Sequence, residues 1–253
     1  MKNIALFSLL VLCTVWVSCT PKKKETPMEN TTETPVTGNS LQATLDAKKA
    51  AFEEKASDEK KKIYAEGIAA VAESGVLSNA KNVGDQAPDF TLTNALGEQV
   101  SLSDYLKKGP VVLTWYRGGW CPYCNLTLNS LQSELPNFQA EGANLLALTP
   151  ELPDKSMSTK EKHELAFEVL SDVQNQIGKQ YGIVYKLTDD VAASYQKSFD
   201  LHGYNGDESD ELPLAATYVI DTDGKITYAF LDAEYRNRAE PSEIIAALQA
   251  LKK

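Results

Sequence analysis

The stretch Val111-Val-Leu-Thr-Trp-Tyr-Arg-Gly-Gly-Trp-Cys-Pro-Tyr-Cys124 decides how the rest of the chain is read. Its first six residues are nearly all apolar, the pattern of a central strand covered on both faces. After these the buried strand gives way to a helix, expected at about residues 124–139. Cys121 is therefore expected at or near the helix N-terminus, with Cys124 about one turn further in. A helix N-terminus presents unpaired N–H groups and the positive end of the dipole, which favour a thiolate over a thiol. The two-residue spacing also lets the pair close into a disulfide, so that one thiol attacks and the other resolves.

Working outward, the surrounding sequence reads as α/β. Residues 90–93 and 99–102 alternate on either side of Asn94-Ala-Leu-Gly97, the pattern of a β-hairpin. Residues 143–149 and 167–170 read as further buried strands, and 215–220 with 226–231 as a hairpin around Asp223-Gly224. Helical periodicity falls between them, at 124–139, 158–166, 174–181 and 189–199, and Pro241 opens a last helix carrying Ile244, Leu248 and Leu251. Upstream, residues 41–78 show a thin apolar stripe that reads as one or two amphipathic helices, interrupted or ended at Gly67 and Ser74-Gly75. The stripe suits a spacer docked on the next domain better than a dimerising coiled coil. The expected fold class is a central mixed sheet flanked by helices over residues 83–253, preceded by a helical segment at 41–82.

The N-terminus reads as an address. Lys2 precedes an uncharged apolar run from Ile4 to Ser18 that is too short to span a bilayer, as in a bacterial export signal over residues 1–18. Ser18-Cys19 resembles the lipobox of bacterial lipoproteins, with Trp16 where that motif usually has Leu. The resemblance implies a lipid on Cys19 and a membrane-anchored protein of the bacterial cell envelope. Residues 19–40, with Pro21, Pro27 and Pro35, have the composition of a flexible tether. Loss of the signal and lipidation of Cys19 would leave only two free thiols, Cys121 and Cys124.

Composition narrows the chemistry. A chain of 253 residues with 43% hydrophobic content carries one substantial domain plus appendages. Its 25 basic and 35 acidic residues give a net charge of -10, which argues against a nucleic-acid partner. Two histidines and four cysteines leave neither a multi-histidine metal centre nor a disulfide-stapled scaffold. Zinc would need His163 and His202, which lack ligand spacing, and a static short-loop disulfide would add little stability. No metal or organic cofactor is implied.

Trp120-Cys-Pro-Tyr-Cys124 resembles the active site of the thioredoxin superfamily. Together with Gly84-Asp-Gln-Ala-Pro-Asp-Phe90 and Leu212-Pro-Leu-Ala-Ala-Thr-Tyr-Val-Ile-Asp221, it makes the chain resemble the peroxiredoxin-like branch of the AhpC/TSA proteins over about residues 83–253. The resemblance implies a thioredoxin-like fold in which Cys121 and Cys124 reduce a peroxide and a thioredoxin-like donor reduces the resulting disulfide. The alternative is an envelope reductase or carrier acting on protein disulfides; a binding lipoprotein with a vestigial redox site is a third reading. Typical peroxiredoxins carry Pro-x-x-x-Thr-x-x-Cys, and here Arg117 replaces the proline and Cys121 the threonine. Ala215 stands where a proline is expected. Arg117 is expected to lower a thiolate pKa by its charge, Trp120, Pro122 and Tyr123 to frame the site, and Pro213 and Thr217 to supply the facing loop. The helix terminus and the thioredoxin likeness favour Cys121 as attacker, whereas counting along the peroxiredoxin motif favours Cys124; the reading taken is Cys121.

Overall fold

A computed structural model describes residues 40–252. The expected export signal, the lipidated Cys19 and nearly all of the tether lie outside them. In chain order the described residues form α1 (Leu41–Lys55), α2 (Asp58–Glu73), α3 (Val76–Asn79), β1 (Thr91–Asn94), β2 (Gln99–Ser101), α4 (Leu102–Leu106), β3 (Val111–Trp115), α5 (Pro122–Ala140), β4 (Asn144–Thr149), α6 (Pro153–Lys162) and β5 (Glu168–Ser171). A 3-10 turn at Val173–Asn175 then leads into α7 (Gln176–Gln180), β6 (Val184–Lys186), α8 (Asp189–Phe199), α9 (Leu201–Asn205), β7 (Glu211–Pro213), β8 (Thr217–Ile220), β9 (Ile226–Phe230) and α10 (Pro241–Ala250). Among the described residues no helix is long and apolar enough to cross a membrane.

β3 is the spine. It runs parallel to β4 and antiparallel to β8 inside a seven-stranded mixed sheet of order β2-β1-β5-β4-β3-β8-β9. Every residue of β3 is buried, and its side chains alternate between two hydrophobic clusters, one on each face. Val111, Leu113 and Trp115 meet Tyr181, Tyr218 and Val191; Val112 and Tyr116 meet Leu128 and Leu131 of α5 and Ile244 of α10. A strand covered on both sides reads as an unbroken apolar run, which is how residues 111–116 look in the sequence.

The expected hairpins at β1/β2 and β8/β9 form, the second around Gly224, whose φ of 84° suits glycine. Three expectations shift. The helix expected at 158–166 begins at Pro153, because proline is pre-set for a first turn, and ends by Glu164, whose φ is 50°. Leu102 leaves the strand, because the Ser101 hydroxyl caps α4 by accepting the Asp104 N–H at 3.2 Å. Gly67 does not interrupt α2; a Cβ there would lie 2.6 Å from Val191 Cγ2, so glycine is what lets α2 close on α8. The small β6/β7 sheet was too short to show a strand period.

The helices ahead of the sheet are built onto it. Leu41 and Leu45 of α1 are buried in the cluster of α5 and α10. The Glu240 carboxylate accepts the Leu41 and Gln42 N–H groups at 3.3 and 2.6 Å, a capping anion supplied from far along the chain. α2 packs on α8 through Val71 and Val191 and by the edge-on contact of the Tyr64 and Tyr195 rings.

Gly67→Ala is expected to destabilise the protein by roughly 1–2 kcal/mol. The stiff Val191 side chain must yield to the new methyl, and this outweighs the better helix propensity of alanine. Urea unfolding of the two proteins measures it; an unchanged or higher midpoint would show that α2 can move away at no cost.

Candidate active site

The chain leaves β3 at Trp115 and enters α5 at Pro122, and the residues between them form a tight loop at the carboxyl end of the strand. Gly118 has a φ of 154°, and a Cβ there would sit 2.2 Å from Trp120 Nε1. The Gly119 N–H donates to Glu151 Oε1 at 2.9 Å, and Asn125 Nδ2 donates to the Gly119 carbonyl at 3.0 Å. Thus held, the loop turns the Arg117 N–H onto Cys124 Sγ at 3.5 Å.

Cys121 is the N-cap of α5, and its sulfur accepts no first-turn N–H. Cys124 lies in the first turn. Both are free thiols, 1% and 0% exposed. Two buried guanidiniums face them: Arg117 Nη1 lies 3.9 Å from Cys121 Sγ, and Arg238 Nη2 lies 3.5 Å from Cys124 Sγ. Arg238 is held by the carbonyls of Tyr235 and Asn237, and Arg117 by the Tyr195 hydroxyl at 2.5 Å and by the faces of Tyr235 and Trp120. Among the described residues neither guanidinium forms a salt bridge to a carboxylate, whereas the neighbouring Arg236 pairs with Glu234 and Glu53.

Both guanidiniums act downward on either thiol, and the hydrogen bond that the two sulfurs share separates them. Burial pushes Cys121 well above the usual thiol range, and the hydrogen bond and charge shared with Cys124 push it the same way. Burial acts upward on Cys124 too, but it is outweighed by the Cys121 hydrogen bond, the charges of Arg238 and Arg117 and the Arg117 N–H, which together hold Cys124 well below that range. These opposite directions favour the anionic form at Cys124 and the protonated form at Cys121. Sequence placed the activated thiol at Cys121. Cys124 has in addition the Arg117 backbone N–H and the Cys121 thiol as donors, which a helix N-cap does not supply to Cys121.

The remaining expected residues divide. Arg117 is buried against the sulfurs. Trp120 stacks on Phe199 at 4.2 Å, Tyr123 packs edge-on against Tyr235 at 5.7 Å, and Pro122 opens α5. Thr217 Oγ1 lies 2.9 Å from Thr114 Oγ1 across β3 and β8, and Pro213 lies opposite Val184 in the separate two-stranded sheet. Four residues were not foreseen: Arg238, Glu151, Tyr195 and Tyr235. Arg238 carries no local motif; only the return of the chain after β9 brings it to α5. Glu151 had one available sign, an acid just past the carboxyl end of a central strand. It is fully buried, and burial pushes its carboxyl up to about 7.

The AhpC/TSA family model matches residues 83–229. Peroxiredoxin Bcp of Escherichia coli K12 is 30% identical over 160 residues, covering 63% of this chain and 91% of that protein. Among solved structures, peroxidoxin BcpB of Mycobacterium tuberculosis superposes with a TM-score of 0.54 at 22% identity, covering 68% of this chain and 99% of that one. A yeast mitochondrial 1-Cys peroxiredoxin, described as resolved via glutathione/thioredoxin systems, gives 0.51 at 18% identity over 68% and 76%. These likenesses show the thioredoxin-like fold expected from sequence.

Arg238→Met is expected to raise the Cys124 pKa, because it removes a charge at contact distance. Thiolate absorbance followed against pH measures the step; a step that stays in place would dismiss Arg238 as its cause. Glu151 binds a proton in the folded state that it releases when unfolded between pH 4.5 and about 7. Stability should therefore fall as pH rises through that window, by about 3 kcal/mol. Glu151→Gln keeps an acceptor for the Gly119 N–H and should flatten the slope in urea melts at pH 5 and 7.5; an equal slope in both proteins would refute the assignment.

Proposed function

The chain belongs to the AhpC/TSA family, and from that premise we propose that it is a thiol-dependent peroxidase in which Cys124 attacks the peroxide and Cys121 resolves. The observation that carries the reading is the seat of Cys124 Sγ, 3.5 Å from both the Arg117 N–H and Arg238 Nη2, with the Cys121 thiol beside it.

The Cys124 thiolate attacks one oxygen of the peroxide and the O–O bond breaks. The sulfur is oxidised to a sulfenic acid, and the other oxygen leaves as water or an alcohol after taking a proton from solvent. Arg117 and Arg238 face the oxygens as negative charge develops on the leaving one. The Cys121 sulfur then displaces hydroxide from the sulfenic sulfur, its own proton leaves with that hydroxide as water, and the disulfide closes. Two thiols are oxidised and one peroxide is reduced. A thioredoxin-like donor returns the two electrons by thiol–disulfide exchange.

The proposal includes placement in the bacterial cell envelope through a lipid on Cys19, supported by the uncharged apolar run after Lys2 and by Ser18-Cys19.

Stopped-flow mixing of the reduced protein with hydrogen peroxide, followed by Trp115 and Trp120 fluorescence, tests it. Oxidation much faster than that of an unactivated thiol is expected. Cys124→Ser should abolish it, and Cys121→Ser should stop at a sulfenic acid trapped by dimedone. Reaction in Cys124→Ser but not in Cys121→Ser would reverse the roles. No peroxide reaction, with rapid exchange against a protein disulfide, would replace the peroxidase by a reductase.

A further inference from the structure

The family match ends at residue 229, and Arg238 stands beyond it, on the loop of residues 232–240 between β9 and α10. That loop is gripped by α1, which also lies outside the matched segment. Leu41, Leu45, Lys49 and Glu53 recur every four residues, so they share one face of α1. The face begins as hydrocarbon packed with α5 and α10 and ends as charge over the loop. Lys49 Nζ lies 3.8 Å from Glu234 Oε2 and Glu53 Oε1 lies 3.4 Å from Arg236 Nη1, while Arg236 and Glu234 pair with each other at 2.6 Å. At the start of α1, Ser40 Oγ accepts the Ala43 N–H at 3.1 Å, and the Glu240 carboxylate accepts the N–H groups of Leu41 and Gln42. Two first-turn donors that α1 cannot satisfy itself are thus met by a residue two positions after Arg238.

The loop presents its side chains to two sides. Glu234, Arg236 and Glu240 reach α1, whereas the Tyr235 ring lies 4.0 Å from Arg117 Cζ and Arg238 Nη2 lies 3.5 Å from Cys124 Sγ. Apart from that sulfur, Arg238 donates to carbonyls of its own loop, those of Tyr235 and Asn237. Where the loop goes, the cation goes with it. The three grips are unequal. Lys49 and Glu53 are nearly half exposed, and surface ion pairs contribute little. Hydrogen bonds to the half-buried Glu240 carboxylate are charge-assisted and contribute more.

We propose that α1 is a clamp on the loop of residues 232–240, and that Glu240 is a positioning residue: by gripping the first turn of α1 it fixes where the Arg238 guanidinium stands against Cys124 Sγ. The bearing of this clamp on rate rests on the peroxidase reading above; its bearing on the Cys124 thiolate does not. Glu240 touches neither sulfur in this arrangement and acts only through Arg238, so its removal and that of Arg238 are not independent.

The test compares the full chain with Glu240→Ala and Glu240→Gln, and repeats Glu240→Ala in the Arg238→Met protein. Thiolate absorbance followed against pH reads the ionisation of Cys124, and stopped flow with hydrogen peroxide reads the second-order rate constant. Glu240→Ala should move the thiolate step to higher pH and lower the rate constant roughly 10-fold, as expected when a charge is displaced from the reacting atoms. Glu240→Gln keeps an acceptor oxygen for the α1 N–H groups and should keep the parent's step. In the Arg238→Met protein, Glu240→Ala should shift the step no further. Far-UV circular dichroism checks that each variant is folded, and Glu53→Ala, at an exposed side chain, carries the test if Glu240→Ala is not. A step at the parent's pH in the folded variant, or the same shift with and without Arg238, would overturn the proposal. A shifted step that needs Arg238, in a chain that does not react with peroxide, would uphold the clamp and dismiss the peroxidase.

Discussion

The groups around Cys124 Sγ are those that favour a buried negative charge there. A thiolate taken out of water is tolerated only where donors and cations replace its hydration. Here the replacements come from three separate parts of the chain: the N–H of Arg117 at the end of β3, the thiol of Cys121 at the N-cap of α5, and the guanidinium of Arg238 from the loop before α10. The dependence is mutual, because two guanidiniums lacking carboxylate partners are themselves stable in the interior only beside an anion. The aromatic faces of Tyr235, Trp120 and Tyr195 around Arg117 are the other half of that arrangement.

The sheet exists to hold these parts in register. β3 sits between β4 and β8, so the loop after Trp115, the acid after Thr149 and the start of β8 meet at one end of the sheet. Glu151 ties the loop down from β4 through the Gly119 N–H, and Thr114 ties β3 to β8 through Thr217. A chain that lacked glycine at 118 could not make this turn, since Trp120 occupies the space that a side chain would need.

How much of this was legible in the sequence follows from the range of the interactions. The unbroken apolar run of β3, the helix that follows it and the Asp223-Gly224 turn are local and were readable, though α5 starts at Pro122, two residues before the expected 124. So was the placing of both cysteines at the start of one helix, because their spacing follows a buried strand directly. The electrostatic difference between the cysteines stayed open in the sequence, where the helix terminus pointed to Cys121 and the motif count to Cys124, because it draws on Arg238, 114 residues beyond Cys124. The continuity of α2 through Gly67 was also hidden. A helix-weakening residue looks like a break until the partner, Val191, is seen to need the space.

The same pair of uncompensated cations also governs where electrons prefer to reside. Joining Cys124 to Cys121 in a disulfide removes the anion but leaves both guanidiniums in place, so the oxidised site carries two buried positive charges with nothing to balance them. In the proposed cycle that difference would favour the reduced state and raise the couple's reduction potential, as in other dithiols whose thiolate is strongly stabilised. Such a couple accepts electrons readily, so even a mildly reducing dithiol can restore it.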